Sequence, residues 1–185
     1  MAVAWCITAT ASLTIWRAAG LFLKATTCSC LNEFNTSYQL IAQQKEEPLN
    51  EEDTILYMPY LLAYMLTGKL AQDSSIASTS AVYTESGYDS KFLSKINLSS
   101  CNFAPTKPVG SLIGNLKDEL KVAFNLDYDI KVLVTCSHDT ASAIMTVMGE
   151  EEHPLYLSSG TWSLFGTIVD KPIINDVTFN EAYTN

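Results

Sequence analysis

The run Ile130-Lys-Val-Leu-Val-Thr-Cys136 leads without interruption into Ser137-His-Asp-Thr-Ala-Ser-Ala143. β-Branched side chains pack well on a pleated surface, so the first part reads as a strand. A run this apolar predicts a strand covered on both faces. The second part turns to alanine and small hydroxyl-bearing residues, and a helix is expected over 140–148. A strand that breaks into a polar crest and then a helix belongs to an α/β layer. Asp139 stands at that crest. Further on, Leu157-Ser-Ser-Gly-Thr-Trp-Ser163 lies between two short apolar runs. These predict strands at 155–158 and 162–169 joined by the Ser159-Gly160 turn. An exposed carboxylate at a strand end, followed by a hydroxyl-lined turn, suits phosphoryl transfer. The carboxylate takes a proton from an attacking alcohol while the turn holds phosphate oxygens.

Upstream signals place further elements. Phe34, Tyr38, Leu40 and Ile41 form a helical stripe that ends at Lys45-Glu-Glu-Pro48. Pro59 suits the first position of a helix, where its missing N–H costs nothing, and Gly68 suits its end. The apolar pattern puts Leu61, Leu62, Met65 and Leu66 on the buried face of that helix. Asp73 is expected to cap a helix reaching Ser80, and Asp89 one reaching Ile96. Val109–Gly114 reads as a strand or turn, and Lys117–Phe124 as a helix. The polar break Gly149-Glu-Glu-Glu-His-Pro154 is the expected domain boundary.

The net charge of −9 over 185 residues argues against nucleic acid as a partner. The five cysteines are irregularly spaced and only two histidines are present, so no zinc site is expected. Cys28-Ser-Cys30 reads as two thiols in a loop, and a reducing cytoplasm fits best. Residues 2–16 are apolar but too few to span a bilayer before Arg17, and no basic residue precedes them. Neither export nor a membrane partner is expected.

Each candidate residue has an ordinary structural reading as well. Asp139 is well placed as a helix N-cap, a role worth about 1 kcal/mol, and a capping carboxylate keeps a second oxygen free for a ligand. His138 alone fits a turn histidine. Thr161, Ser158, Ser159 and Ser163 fit a plain hairpin, with Gly160 supplying conformational freedom. No Gly-x-Ser-x-Gly elbow occurs, which sets aside a serine hydrolase.

Taken together, Ser137-His-Asp-Thr-Ala-Ser-Ala143 and Tyr156-Leu-Ser-Ser-Gly-Thr-Trp-Ser163 resemble the central signature of the FGGY carbohydrate kinases. Phe34-Asn-Thr-Ser-Tyr-Gln-Leu40, Met58-Pro-Tyr-Leu-Leu-Ala-Tyr-Met-Leu-Thr-Gly68, Ala77-Ser-Thr-Ser80 and Ile113-Gly114 agree, in the family's order. Within the family the chain is most similar to the rhamnulokinase branch. The resemblance implies an α/β fold of the ribonuclease-H-like (actin-like ATPase) type, two domains with the site between them. Residues 34–149 would be the late part of the first domain and residues 154–185 the first strands of the second, with residues 1–33 unassigned. It implies ATP and Mg2+ as cofactors and phosphorylation of a ketose at a primary hydroxyl, L-rhamnulose in that branch. Asp139 would be the catalytic base. His138 and Thr140, with Asp139, would contact the sugar, and Thr161 would bind the nucleotide's phosphates.

The chain also departs from the family pattern. Residues 1–33 show no resemblance to the phosphate loop that opens a complete kinase of this family. The sequence also stops before the usual adenine-binding elements. The expectation is therefore a fragment, inactive alone and loosely packed, with unpaired sheet edges and uncovered apolar faces. The alternatives left open are another sugar or polyol kinase of the family and a non-catalytic remnant.

Overall fold

The computed structural model describes residues 35–99, 102–147, 154–160, 163–181 and 183. Helix α1 (Thr36–Glu46) follows Asn35, whose side-chain amide donates to Thr79 O at 2.9 Å. Its inner face carries Tyr38, Leu40 and Ala42. Strand β1 (Thr54–Ile55) leads to helix α2 (Met58–Thr67), in which Pro59 is the second residue, one later than expected. Gly68 ends α2 at φ 70°, and its N–H donates to Tyr64 O at 2.6 Å. Only glycine takes that left-handed backbone without strain.

Helix α3 (Ser74–Ser78) is capped by Asp73 as expected. Strands β2 (Tyr83–Thr84) and β3 (Gly87–Tyr88) pair as a small hairpin before helix α4 (Ser90–Lys95). Asp89 caps α4 by accepting from the Lys91 and Phe92 N–H groups. The helix closes where Asn97 turns left-handed at φ 58°, with Leu98 N–H donating to Leu93 O at 2.8 Å. Asparagine is the usual substitute for glycine in such a closure, and buried Leu98 completes it from the core side.

Strand β4 (Asn102–Phe103) lies parallel to β1, with Ile55 opposite Phe103. Strand β5 (Leu112–Asn115), helix α5 (Asp118–Ala123) and strand β6 (Lys131–Leu133) follow, β5 and β6 being antiparallel. Helix α6 (Asp139–Ile144) runs on into a 3-10 turn over Met145–Val147. Strands β7 (Leu155–Ser159) and β8 (Ser163–Thr167) form the expected hairpin in straight register, Leu157 opposite Phe165, but Ser159, expected in the turn, is the last residue of β7 and pairs with Ser163; helix α7 (Asp176–Asn180) follows. The expected boundary at Gly149-Glu-Glu-Glu-His153 lies outside the described residues, although Pro154 is described and buried. Among the described residues, no helix is long and apolar enough to cross a membrane.

Two apolar clusters hold these elements. Tyr38, Leu40, Ile55, Val82, Phe92 and Leu98 form the first, under α1 and α4. Leu56, Tyr60, Ala63, Ala104, Ile113 and Val134 form the second, between α2 and the β5–β6 pair.

Two expectations about burial are corrected. Strand β6 is not covered on both faces: Val134 is buried, but Leu133 is half exposed opposite the equally exposed Leu112. The two-residue pleat puts Val134 and Leu133 on opposite faces, and the face that Val134 takes is the one covered, by Tyr60 and Ala63 of α2. On α2, Leu62, Met65 and Leu66 are exposed, and Tyr60, Ala63 and Thr67 face inward. The helix approaches β5 too closely for large side chains. A Cβ added to Gly114 would sit 3.3 Å from Thr67 Cβ. Close approach selects small residues, and Tyr60 is admitted because its hydroxyl donates to Thr135 O at 2.9 Å.

Candidate active site

His138, Asp139 and Thr140 arrive together where the polypeptide leaves β6 and enters α6. The residue that caps α6 is His138 and not Asp139. His138 Nδ1 accepts from the Ala141 N–H at 3.3 Å. In a neutral ring that acceptance leaves the proton on Nε2, and Nε2 lies 3.8 Å from Asp139 Oδ1. The gap is too long for a hydrogen bond, so the pair interacts only electrostatically. Asp139 is the first residue of the helix, and its Oδ1 accepts from the Thr140 N–H at 2.6 Å. Its side chain is 96% exposed. With the cap supplied by its neighbour, the Asp139 carboxylate is left open to solvent, where a hydroxyl can approach it within hydrogen-bond reach.

Helix α6 lies against β7, the strand that leads to the hydroxyl-rich turn. Thr161 lies outside the described residues. At the turn's two ends Ser159 Oγ and Ser163 Oγ are 3.5 Å apart. Leu155, Leu157 and Phe165 line the hairpin's exposed face.

Sequence reading treats Asp73 as a helix cap only. The structure buries it completely and makes it the junction of three segments. Asp73 Oδ2 accepts from the Ser75 N–H at 2.7 Å and from the Ser75 hydroxyl. Its Oδ1 accepts from the Ser137 hydroxyl and, at 3.4 Å, from the Ser137 N–H. Ser75 Oγ accepts in turn from the His138 N–H at 3.2 Å. Burial alone would raise the Asp73 carboxyl, but the donors from Ser137 and Ser75 outweigh it and hold it below the ordinary carboxylate range. Burial, with the Asp73 charge, pushes the Tyr60 phenol well up. No local pattern could have joined Asp73 to Ser137, because they are 64 positions apart.

A depressed carboxyl contributes stability above its unfolded value of about 3.9 and loses it as pH falls through the lower folded value. The difference in urea midpoint between the wild type and Asp73→Asn is therefore expected to be constant from pH 7 to about pH 5. It should shrink below about pH 4, as the wild type gives up its advantage. An equal difference at every pH would remove the charge from this account.

The arrangement matches known proteins in both fold and sequence. A xyloylose kinase from Brucella ovis superposes with a TM-score of 0.55 at 17% identity, covering 65% of this chain and 27% of that one. A gluconate kinase from Lactobacillus acidophilus superposes with a TM-score of 0.58 at 15% identity, covering 66% and 27%. The fold is therefore the actin-like α/β fold of sugar kinases. Residues 1–146 match the FGGY family of carbohydrate kinases, N-terminal domain. That span includes residues 1–33, which carry none of the motifs quoted above. The chain belongs to the FGGY family of carbohydrate kinases. Within it, the chain is 40% identical over 154 residues to the rhamnulokinase of Ligilactobacillus salivarius (strain UCC118), which covers 82% of this chain and 31% of that protein. It is 36% identical over 157 residues to the rhamnulokinase of Bacillus subtilis (strain 168), again covering 82% and 31%. The chain thus spans about a third of the length of the curated relatives it matches.

Proposed function

We propose that this chain carries the acceptor side of an ATP-dependent ketose kinase, with L-rhamnulose as the sugar. The observation that carries the reading is the Asp139 carboxylate, free of capping duty and facing solvent at the start of α6. Asp139 accepts the proton of the sugar's primary hydroxyl as that oxygen attacks the γ-phosphorus. The bond to the bridging oxygen breaks and ADP leaves with the electron pair. His138 and Thr140 contact the sugar beside Asp139. The similarity to rhamnulokinases supports the choice of sugar.

ATP supplies the phosphoryl group. The paired hydroxyls of Ser159 and Ser163 fit phosphate oxygens at the β7–β8 turn, where Thr161 completes the set. Among the described residues no three His, Cys, Asp or Glu side chains cluster. Mg2+ would enter with the nucleotide and neutralise charge on the transferring phosphate. In this reading residues 34–149 form the late part of the first domain and residues 154–185 open the second, in a cytoplasmic protein.

The test is to incubate a full-length kinase reconstructed around this chain with ATP, Mg2+ and L-rhamnulose, following ADP release and the phosphorus resonance of a new phosphomonoester. Sugar-dependent formation of both is expected. Turnover of another ketose or polyol, but not of L-rhamnulose, would move the chain to a different branch. Transfer to none of them would remove the kinase reading.

A further inference from the structure

We propose that Asp73 is a positioning residue for the transfer reaction, clamping the Ser137-His138 segment so that Asp139 is presented in one orientation. The proposal rests on the reading of Asp139 as the base. Capping α3 does not require the environment that Asp73 occupies. Asp89 caps α4 through a single oxygen, to the Lys91 N–H at 2.9 Å and the Phe92 N–H at 3.0 Å, and remains partly open to solvent. Asp73 is 0% exposed, and a buried carboxylate is costly unless donors surround it. It caps with Oδ2 and turns Oδ1 to Ser137, on the far side of the sequence.

The tethers end just short of the base. Thr135 O is held by the Tyr60 hydroxyl, the Ser137 hydroxyl and N–H by Asp73, and the His138 N–H by Ser75, itself bound to Asp73. Among the described residues, the Asp139 side chain has short-range partners: the Thr140 N–H, the Thr140 hydroxyl and the neighbouring His138 ring. Its direction is therefore set by the segment before it, and a misplacement of about 1 Å at such a group can cost 10²-fold in rate.

The experiment compares Asp73→Asn with Asp89→Asn, which weakens a cap of the same kind away from the loop. In amide hydrogen exchange on the whole chain, Asp73→Asn should speed exchange at Ser137 and His138 by about tenfold or more over Asp89→Asn at matched global stability. Equal exchange in the two variants would overturn the clamp. In a full-length kinase reconstructed around this chain, below both melting temperatures, Asp73→Asn should lower kcat about 10- to 10²-fold, and Asp89→Asn should leave it near wild type. Added to Asp139→Asn, Asp73→Asn should cause little further loss, because it acts through the same group.

The two readings fail separately. An active Asp139→Asn enzyme would sink the base, whatever Asp73 does. A dead Asp139→Asn enzyme beside a fully active Asp73→Asn enzyme would sink the positioning role and leave the base standing. If Asp73→Asn does not fold, Ser137→Ala takes its place, removing one donor while keeping the α3 cap, with the same exchange and kcat outcomes deciding.

Discussion

Asp139→Asn in a full-length kinase reconstructed around this chain is expected to lower kcat by about 10²- to 10⁴-fold, the range that a positioned general base contributes, if Asp139 has the proposed role. The substitution keeps the shape of the side chain and removes its ability to take the hydroxyl proton. Because the Asp139 side chain is 96% exposed and its neighbour holds the cap, folding should not change measurably. In the proposed reading His138 and Thr140 hold the sugar independently of Asp139, so KM for the sugar should stay within a few-fold of wild type. Loss confined to kcat is the signature of a group needed only in the transition state. Initial rates against sugar concentration at saturating ATP separate the two parameters. A variant turning over within tenfold of wild type would take the base role from Asp139.

The sequence makes the crest at Ser137-His-Asp139 legible because its signals are local. A β-branched run must end somewhere, and the change to small hydroxyl residues marks where. The two helix caps at Asp73 and Asp89, the glycine stop at Gly68 and the β7–β8 hairpin are legible for the same reason: each is decided within a few residues. What depends on tertiary approach is not legible. The inward face of α2 is chosen by how near Gly114 and Thr67 come, so Ala63 and Thr67 take positions that hydrophobicity assigns to leucines. The cap of α6 passes to His138 through a ring nitrogen no spacing rule favours. The second role of Asp73 exists only because the fold brings Ser137 beside it. The candidate base is thus readable from one segment, whereas the framework that aims it is not.

Phe92→Ala is expected to destabilise the chain by about 3–5 kcal/mol, a large share of the roughly 5–15 kcal/mol that separates folded from unfolded domains. Phe92 is 1% exposed in the cluster with Tyr38, Leu40, Val82 and Leu98. Its ring also sits on the first turn of α4, where its N–H is one of the two that Asp89 holds. Removing the ring leaves a void flanked by α1 and α4, and cap and Asn97 closure pin α4 at both ends, so it cannot easily slide inward to fill it. The cost therefore belongs at the upper end of the range, where collapse is poorest. Leu62→Ala is the paired measurement. Amphipathic reasoning alone makes it a core deletion of about 2–5 kcal/mol. With Leu62 57% exposed on α2, the expected loss is within about 1 kcal/mol. Urea midpoints and slopes for the two variants decide between the pattern and the packing. Similar losses at Leu62 and Phe92 would mean that α2 turns its leucines inward, and that the contact between Thr67 and Gly114 does not set its face.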